Sequence, residues 1–261
     1  VLRDLMDSDV VPVAALQQVY RQAGDSAIVR NAHRIQKGEL PISSEKEEGA
    51  KDFFLLSRDR PEQVLQTLLE VVTQRLPARG FDDMDDVQVL TPMHKGLLGS
   101  HNLNEELQKA LNPSGASLVR GNRVYRRGDR VLQTRNDYDK EVFNGDVGRV
   151  IGVDEGTLSV RFGGRSVSYV GDELDDLVLA YAISVHKSQG SEYAAVVSIL
   201  HTSHFVMLRR NLLYTAMTRA KRFCVVLGPY SALRQAVDRV EGGERFTTLA
   251  ELIRARQQEL S

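Results

Sequence analysis

The sequence contains 261 residues, of which 42% are hydrophobic and 26% are charged, enough for one large domain or two small ones. The net charge of −1 gives no global signal for nucleic acid, and no apolar run reaches the roughly eighteen residues of a membrane span. The first residues lack the pattern of a signal peptide. The single Cys224 excludes an internal disulfide and a cysteine-rich zinc site, and favours a cytoplasmic location.

Strands and helices alternate in the first part of the chain. Apolar runs at residues 10–16, 51–57 and 87–90 predict strands. Helical spacing predicts three helices: one that is capped by Asp25 or Ser26 and stops at Gly38, one that begins near Pro61, and one at residues 102–111. This alternation predicts an α/β fold, in which helices cover a parallel sheet.

The pattern changes between residues 126 and 171, where short β-rich segments are punctuated by glycines. Turn signals about every ten residues, including Asn144-Gly145 and Gly163-Gly164, predict a small antiparallel barrel or sandwich inserted into the α/β domain. The most basic stretch lies at its entry. That stretch either follows a nucleic-acid backbone or simply forms an exposed entry to the module, and it comprises Arg120, Arg123, Arg126, Arg127 and Arg130.

The α/β pattern resumes in the last third of the chain. Strands are predicted at residues 177–185, 194–200 and 223–227, and helices at 207–219, 232–240 and 248–259. The most informative stretch, residues 181–193, reads YAISVHKSQGSEY. It predicts a buried strand that runs into a loop with basic, amide and acidic side chains. Open α/β sheets bind ligands in loops at the carboxyl ends of their strands, so we expect a binding site there.

Two further clusters carry polar chemistry. Arg21 and Gln22 stand together near the start of the chain, and Arg219 ends the predicted helix in the segment NLLYTAMTRAKR. Thr215, four residues before Arg219, shares its helix face. A fixed arginine can place a bidentate fork on a phosphate, and phosphoryl transfer needs such charge at the γ-phosphate. His201 and His204 have no nearby carboxylate or cysteine in the sequence, so we expect no metal site.

These clusters resemble the C-terminal motor half of superfamily 1 helicases, most closely the RecD-type DNA helicases. Residues 11–41 resemble the segment that carries motif IV, and VLTPMHKGLLGSHNLNEELQ resembles the DNA-contacting segment that follows it. AYAISVHKSQGSEY resembles motif V and NLLYTAMTRAKR resembles motif VI. The resemblance implies a RecA-like parallel sheet with helices on both faces, interrupted by an SH3-like barrel. It implies the division 1–122, 123–174 and 175–261, with the barrel in the middle.

The resemblance also implies a role for each matching residue. Arg21 would reach the γ-phosphate of ATP, and Arg219 would be an arginine finger. Gly190, Glu192 and Gln22 would face the nucleotide, with Glu192 near the ribose. Single-stranded DNA would be contacted by Thr91, Pro92, His94, His186, Lys187 and Gln189, with Lys95, Asn102 and Asn104 as weaker candidates.

One feature of the family is absent from this sequence. The phosphate-binding pattern G-x-x-x-x-G-K-[ST] does not occur, and no acidic Mg²⁺-binding motif accompanies it. We therefore expect an N-terminal RecA-like partner domain to supply them, and no ATPase activity from this chain alone. The intact enzyme would use ATP with Mg²⁺ to move 5′→3′ on single-stranded DNA and unwind duplex junctions. The alternatives are a Pif1-type or conjugative relaxase helicase, and a non-catalytic single-stranded nucleic-acid-binding module.

Overall fold

The computed structural model describes residues 1–14, 26–46, 48–240 and 247–260. Arg21 and Gln22 lie outside the described residues. The helices are α1 Leu2–Asp7, α2 Ala27–Gln36, α3 Pro61–Glu70, α4 Ser100–Leu111, α5 Arg210–Thr218, α6 Tyr230–Asp238 and α7 Leu249–Leu260. The strands are β1 Phe53–Leu56, β2 Val87–Thr91, β3 Ser117–Arg120, β4 Arg123–Arg126, β5 Arg130–Gln133, β6 Val147–Asp154, β7 Thr157–Phe162, β8 Arg165–Val170, β9 Leu177–Leu179, β10 Ala182–Ser184, β11 Tyr193–Ile199 and β12 Ala220–Leu227.

A five-stranded parallel sheet forms the centre of the α/β part, in the order β1-β12-β11-β2-β10. Its strands are short apolar runs because both faces are covered. Along β12, Cys224 and Val226 pack on one face, against α2, α5 and α6. Phe223 and Val225 pack on the other, against α3 and α4. The predicted α/β class with helices on both faces is confirmed.

The β-rich region forms a second, antiparallel sheet in the order β8-β7-β6-β5-β9, and β3 and β4 pair beside it as a hairpin. Gly163 and Gly164 form the turn between β7 and β8, as predicted. Tyr125, Leu158 and Tyr169 are almost completely buried in its core. The chain therefore holds a small all-β module with a core of its own, and the inserted-module prediction is confirmed.

Two predicted strands are wrong. Residues 10–14, the described part of the strand predicted at 10–16, contain no strand. Val11 and Val13 are exposed there, and Pro12 lacks the N–H that a sheet ladder needs. The single strand predicted at 177–185 is two strands. β9 pairs with β5 of the antiparallel sheet, whereas β10 pairs with β2 of the parallel one. The chain changes sheets at Tyr181, where it bends.

The limits of the antiparallel part bear on the predicted division of the chain. Its first hairpin begins at Ser117, and its last strand ends at Leu179. The boundaries at residues 122 and 174 stay a prediction.

A buried polar network joins the two sheets. The Asp129 carboxylate accepts hydrogen bonds from the Tyr181 hydroxyl at 2.8 Å, Asn112 Nδ2 at 2.6 Å and Gln108 Nε2 at 2.5 Å. The neighbouring Arg130 is buried and donates to the carbonyl oxygen of Val87 in β2 at 2.7 Å. Buried polar groups need such partners, so these bonds hold the antiparallel module against the base of β2 and β10.

Ion pairs engage much of the remaining charge near this joint. Arg149 of β6 contacts Asp83 and Asp85, each at 2.9 Å, and the pKa of Asp83 is lowered by the Asp85 backbone N–H and by Arg149. Arg120 contacts Asp172 and Asp175. Arg130 therefore has an internal role, whereas Arg120 forms ion pairs at the surface.

Candidate functional site

The loop at residues 185–192 connects two opposite edges of the parallel sheet. It leaves β10 at the carboxyl edge, where Ser184 is level with Thr91, and returns to the amino edge, where β11 begins at Tyr193. Ala195 is aligned with Val87, and Tyr193 lies two residues earlier in β11. The end of β10 and the start of β11 are therefore separated by about six residues along the strand direction. At about 3.3 Å per residue, that separation is roughly 20 Å. The sequence-predicted residues therefore fall into two groups.

The first group lies at the carboxyl edge. We call it the carboxyl-edge cluster and define it as Thr91, Pro92, His94, His101, His186 and Lys187. His186 and Lys187 form a short 3-10 turn directly after β10. The pKa of His94 is lowered by burial and then by the charges of His101, Lys187 and His186. Burial also lowers the pKa of the Lys187 ammonium.

Two members of the cluster act from inside the protein. Thr91 is completely buried, and its hydroxyl donates to the Leu98 carbonyl oxygen at 2.7 Å. Pro92 is also buried. They support the loop at residues 92–99, and contact with a ligand at this edge falls to the exposed His94 and His186 and to the half-buried Lys187.

Two weaker candidates are engaged in the same way. Both sides of the Asn104 amide bind the backbone of Ala182 at 2.8 Å, so this residue closes the free edge of β10. Asn102 Nδ2 donates to the Leu97 carbonyl oxygen at 2.8 Å. Their side chains therefore hold the strand and the loop, and their contact with DNA stays a prediction.

The second group lies at the amino edge. We call it the amino-edge cluster and define it as Ser191, Glu192, Arg219 and Lys221. Arg219 follows α5 and precedes β12, and its carbonyl oxygen accepts from the Tyr193 N–H at 2.9 Å. Its guanidinium donates to the carbonyl oxygens of Ser191 at 3.0 Å and Thr215 at 3.3 Å. Lys221 Nζ lies 3.3 Å from the Glu192 carboxylate.

Gly190 and Gln189 lie between the clusters. Both are exposed, and Gly190 has φ +85°, a left-handed conformation that favours glycine. A glycine here lets the chain turn from the carboxyl edge towards the amino edge within a few residues. Because the carbonyl oxygen that holds Arg219 comes from Ser191, the next residue, this turn also sets where Arg219 is held.

Sequence reasoning did not find three contributors to these clusters. His101 stands seven residues after His94 and lies beside it, with ring centroids 5.9 Å apart. Lys221 and the Ser191 carbonyl oxygen complete the amino-edge cluster. The segment NLLYTAMTRAKR already contains Lys221, but its pairing with Glu192 depends on the alignment of β11 with β12.

Other ionisable groups lie away from both clusters. His201 Nε2 contacts the Asp59 carbonyl oxygen at 3.0 Å, and burial lowers the pKa of His204 to about 4. In the part of the chain that the structure describes, no group of three His, Cys, Asp or Glu residues is placed to hold a metal ion. The described helices include none with the length and apolar character needed to cross a membrane.

Comparisons with known proteins match both parts of this arrangement. Residues 103–162 match the family described as the ATP-dependent RecD-like DNA helicase SH3 domain, and residues 179–227 match the UvrD-like helicase C-terminal domain. The second match includes the loop at 185–192 and Arg219. It therefore contains the residues that connect the two edges of the sheet.

Individual relatives agree with these matches. The chain is 39% identical to the ATP-dependent RecD2 DNA helicase of Deinococcus radiodurans over 248 residues, which are 95% of this chain and 33% of that protein. It is 32% identical to the RecBCD enzyme subunit RecD of Haemophilus influenzae over 60% of this chain and 24% of that protein. The chain thus spans a third or less of the length of these relatives.

A solved structure is similar in fold. The Pif1 helicase from Bacteroides, in complex with ADP-AlF3 and single-stranded DNA, matches 94% of this chain and 56% of its own, with a TM-score of 0.53 and 16% sequence identity. At that identity the likeness concerns the fold, which is a RecA-like sheet with an inserted antiparallel module.

Proposed function

The chain belongs to the RecD-type superfamily 1 helicases, and on that premise we propose that it is the second RecA-like motor domain of an ATP-dependent DNA helicase. The intact protein would use ATP hydrolysis to move 5′→3′ on single-stranded DNA and to unwind duplex. One observation carries the proposal. A single eight-residue loop, 185–192, places Lys187 at one edge of the sheet and holds Arg219 at the other.

The amino-edge cluster is the proposed ATP side. A guanidinium carries its charge at all relevant pH values and presents several N–H donors, which suits a γ-phosphate whose charge changes during phosphoryl transfer. The Arg219 guanidinium is held at this edge by the carbonyl oxygens of Thr215 and Ser191. Arg21 is proposed as a second γ-phosphate contact, and Gln22 and Gly190 as nucleotide contacts. Glu192 would accept a hydrogen bond from the ribose.

These residues fit the phosphate end of ATP with Mg²⁺ but leave the nucleotide site incomplete. The only acidic side chain in the amino-edge cluster, Glu192, is paired with Lys221. The sequence contains no glycine-rich phosphate cradle. We propose that the cradle and the Mg²⁺ ligands come from a RecA-like domain outside these 261 residues, and that this chain alone hydrolyses no ATP.

The carboxyl-edge cluster is the proposed DNA side. Exposed imidazoles and an ammonium group on one edge suit a phosphodiester backbone, whose contacts position a protein without reading sequence. His94, His186, Lys187 and Gln189 are the proposed contacts, and Thr91 and Pro92 support the loop beneath them. Closing of the two motor domains on ATP and their reopening after hydrolysis would then move this edge along the strand.

The alternatives differ in what they require of the two edges. Other superfamily 1 motors, such as Pif1-type helicases and conjugative relaxase helicases, would use the same two edges. Sequence on the amino-terminal side of Val1 would separate them, because a relaxase has a histidine cluster and a nucleophilic tyrosine. A non-catalytic binding module needs only the carboxyl edge. The arginine held at the amino edge favours a motor over such a module.

Duplex unwinding tests the proposal. The protein that joins this chain to its phosphate-cradle domain is incubated with ATP, Mg²⁺ and a labelled duplex that carries either a 5′ or a 3′ single-stranded overhang. We expect strand separation of the 5′-overhang substrate only, and none when ATP is replaced by ADP. Unwinding of the 3′-overhang substrate alone would contradict the direction. ATP-independent DNA binding without hydrolysis would favour the binding module.

A further inference from the structure

The structure places an exposed pair of imidazole rings at the carboxyl edge. The His94 and His101 ring centroids are 5.9 Å apart, and the planes are tilted by 36°. Both side chains are exposed. His94 belongs to the loop after β2, whereas His101 lies in the first turn of α4. The pair therefore joins two elements in one surface.

Several backbone contacts fix this pair. The Ser100 N–H donates to the Met93 carbonyl oxygen at 2.9 Å, and the His101 N–H donates to the His94 carbonyl oxygen at 3.1 Å. His94 Nδ1 contacts the Ser100 hydroxyl at 3.0 Å. A Cβ at Gly99 would collide with the Lys95 carbonyl oxygen, so glycine is required for this tight turn. The loop backbone and the His94 ring are therefore held in place before a ligand binds, which lowers the entropic cost of binding.

The same contacts decide how this surface can recognise a ligand. The N–H groups of Ser100 and His101 are occupied by loop carbonyl oxygens, so the start of α4 does not offer them to a phosphate. Recognition falls to the side chains. Leu97, on the same loop, has 38% of its surface exposed, and its carbonyl oxygen is held by Asn102. The flat, exposed rings of His94 and His101 suit the face of a nucleobase.

Charge beside the rings supplies the other half of a nucleotide site. The Val185 N–H donates to the Thr91 carbonyl oxygen at 3.2 Å, so the turn that carries His186 and Lys187 begins beside the loop that carries His94. A base on the rings would bring its phosphate towards this positive group. Base stacking combined with backbone charge is how proteins hold single strands without reading their sequence.

We propose that His101 is a further single-stranded DNA contact, whose imidazole stacks with that of His94 against one nucleobase while Lys187 binds the adjacent phosphate. The proposal rests on the proposed function and names a residue and a binding mode for it. It requires that the ring of His101 matters, and that its charge does not.

Equilibrium binding of this chain to a fluorescently labelled 16-nucleotide oligo-dT tests the proposal. His101→Ala is expected to weaken binding about five- to twentyfold, within the range for loss of a stacked base. His101→Phe is expected to restore affinity to within about twofold of the parent. Glu105→Ala, at an exposed α4 position one turn further on, is the matched control and should change little. Thermal melting of each variant confirms that it is folded.

A second measurement separates stacking from charge. An abasic residue is moved through the oligonucleotide one position at a time. One position should weaken binding by the parent chain and have no further effect on His101→Ala. The salt dependence of affinity should be the same for His101→Ala as for the parent, because no phosphate contact is lost.

Three results would overturn the proposal. The first is unchanged affinity in His101→Ala. The second is rescue by His101→Lys but not by His101→Phe, which would make the contact ionic. The third is failure of the parent chain to bind the oligonucleotide at all, which would remove the DNA side of the proposed function as well. The first two results leave that function standing.

Discussion

The two edges of the parallel sheet use their polar side chains in different ways. At the carboxyl edge, the side chains of His94 and His186 are exposed to solvent. At the amino edge, Arg219 is tied to two carbonyl oxygens and Glu192 to Lys221. The carboxyl edge therefore presents exposed side chains, whereas the charged side chains of the amino edge form contacts within the chain. On the proposed function, single-stranded DNA would bind this chain directly, whereas the ATP site would be completed by a second surface.

Replacement of Arg219 should give the largest difference between the effect on ATP hydrolysis and the effect on DNA binding. In the protein that includes the phosphate-cradle domain, Arg219→Ala should lower DNA-stimulated ATP hydrolysis about a thousandfold, because arginine fingers contribute on that scale. Affinity for single-stranded DNA should stay unchanged. Steady-state hydrolysis and DNA titration measure the two effects.

Arg222→Ala is the control for this change. Arg222 lies three residues further on and stacks over the Phe81 ring, with its guanidinium carbon 5.1 Å from the ring centroid. It should keep most of the activity. Equal losses in both variants, or a loss of DNA affinity in Arg219→Ala, would remove the distinction between the edges.

Each edge also carries a lysine, and substitution of each lysine tests which edge binds DNA. Lys187→Ala should weaken DNA binding about tenfold and reduce the salt slope of log affinity by about 0.7, the value for one phosphate contact on a single strand. Lys221→Ala, at the amino edge, should leave both quantities unchanged. Titrations at several salt concentrations provide the measurement. A larger effect from Lys221 than from Lys187 would reverse the assignment.

Substitution of Gly190 tests whether the loop at residues 185–192 couples DNA binding at one edge to ATP hydrolysis at the other. Gly190→Ala forces a Cβ into a left-handed backbone, which costs about 1 kcal/mol. Gly156→Ala is a matched control, since its φ is +74° and neither position has an atom within 4 Å of an added Cβ. Urea unfolding should show similar losses in free energy of unfolding. Only Gly190→Ala should reduce the stimulation of ATP hydrolysis by DNA, and equal stimulation in both would exclude coupling through this loop.

The pH dependence of DNA affinity should come from the carboxyl edge alone. The pKa of His94 lies below its ordinary value of 6.5 because burial and nearby positive charge disfavour the imidazolium. A bound phosphate would favour the imidazolium and raise that pKa, so the complex binds the proton more tightly than the free chain. Affinity for DNA should therefore rise about three- to tenfold as pH falls from 7.5 to about 5.5.

Two variants check the origin of that pH dependence. His94→Gln should flatten the profile. Arg219→Ala should keep the parent profile, because a guanidinium does not titrate in this range. DNA affinity that falls with decreasing pH would contradict the placement of these imidazoles beside phosphate.

Local signals predicted most of the fold. Ser26 precedes α2 and Gly38 follows it, and the apolar spacing of α4 identified its buried face. The failure at residues 177–185 has a physical cause. An unbroken apolar run does not reveal that its first half pairs with β5 and its second half with β2, since both partners are distant in sequence.

The candidate site was also predicted only in part from the sequence. The sequence indicated His186, Lys187 and Arg219 through their residue types and their positions at the ends of elements. It could not show that one loop carries them to opposite edges, because the alignment of β11 with β2 sets the return. Nor could it show that the Thr91 hydroxyl is turned inward to the Leu98 carbonyl oxygen.

On the proposed function, this chain carries a complete DNA-binding edge and half of an ATP site. The most direct test measures both on the 261-residue chain alone, in one buffer with Mg²⁺. We predict that it binds labelled oligo-dT, that Lys187→Ala weakens this binding about tenfold, and that ATP hydrolysis stays at the level of the buffer with DNA present. Hydrolysis above that level, abolished by Arg219→Ala, would place a whole ATP site within these residues and contradict that division.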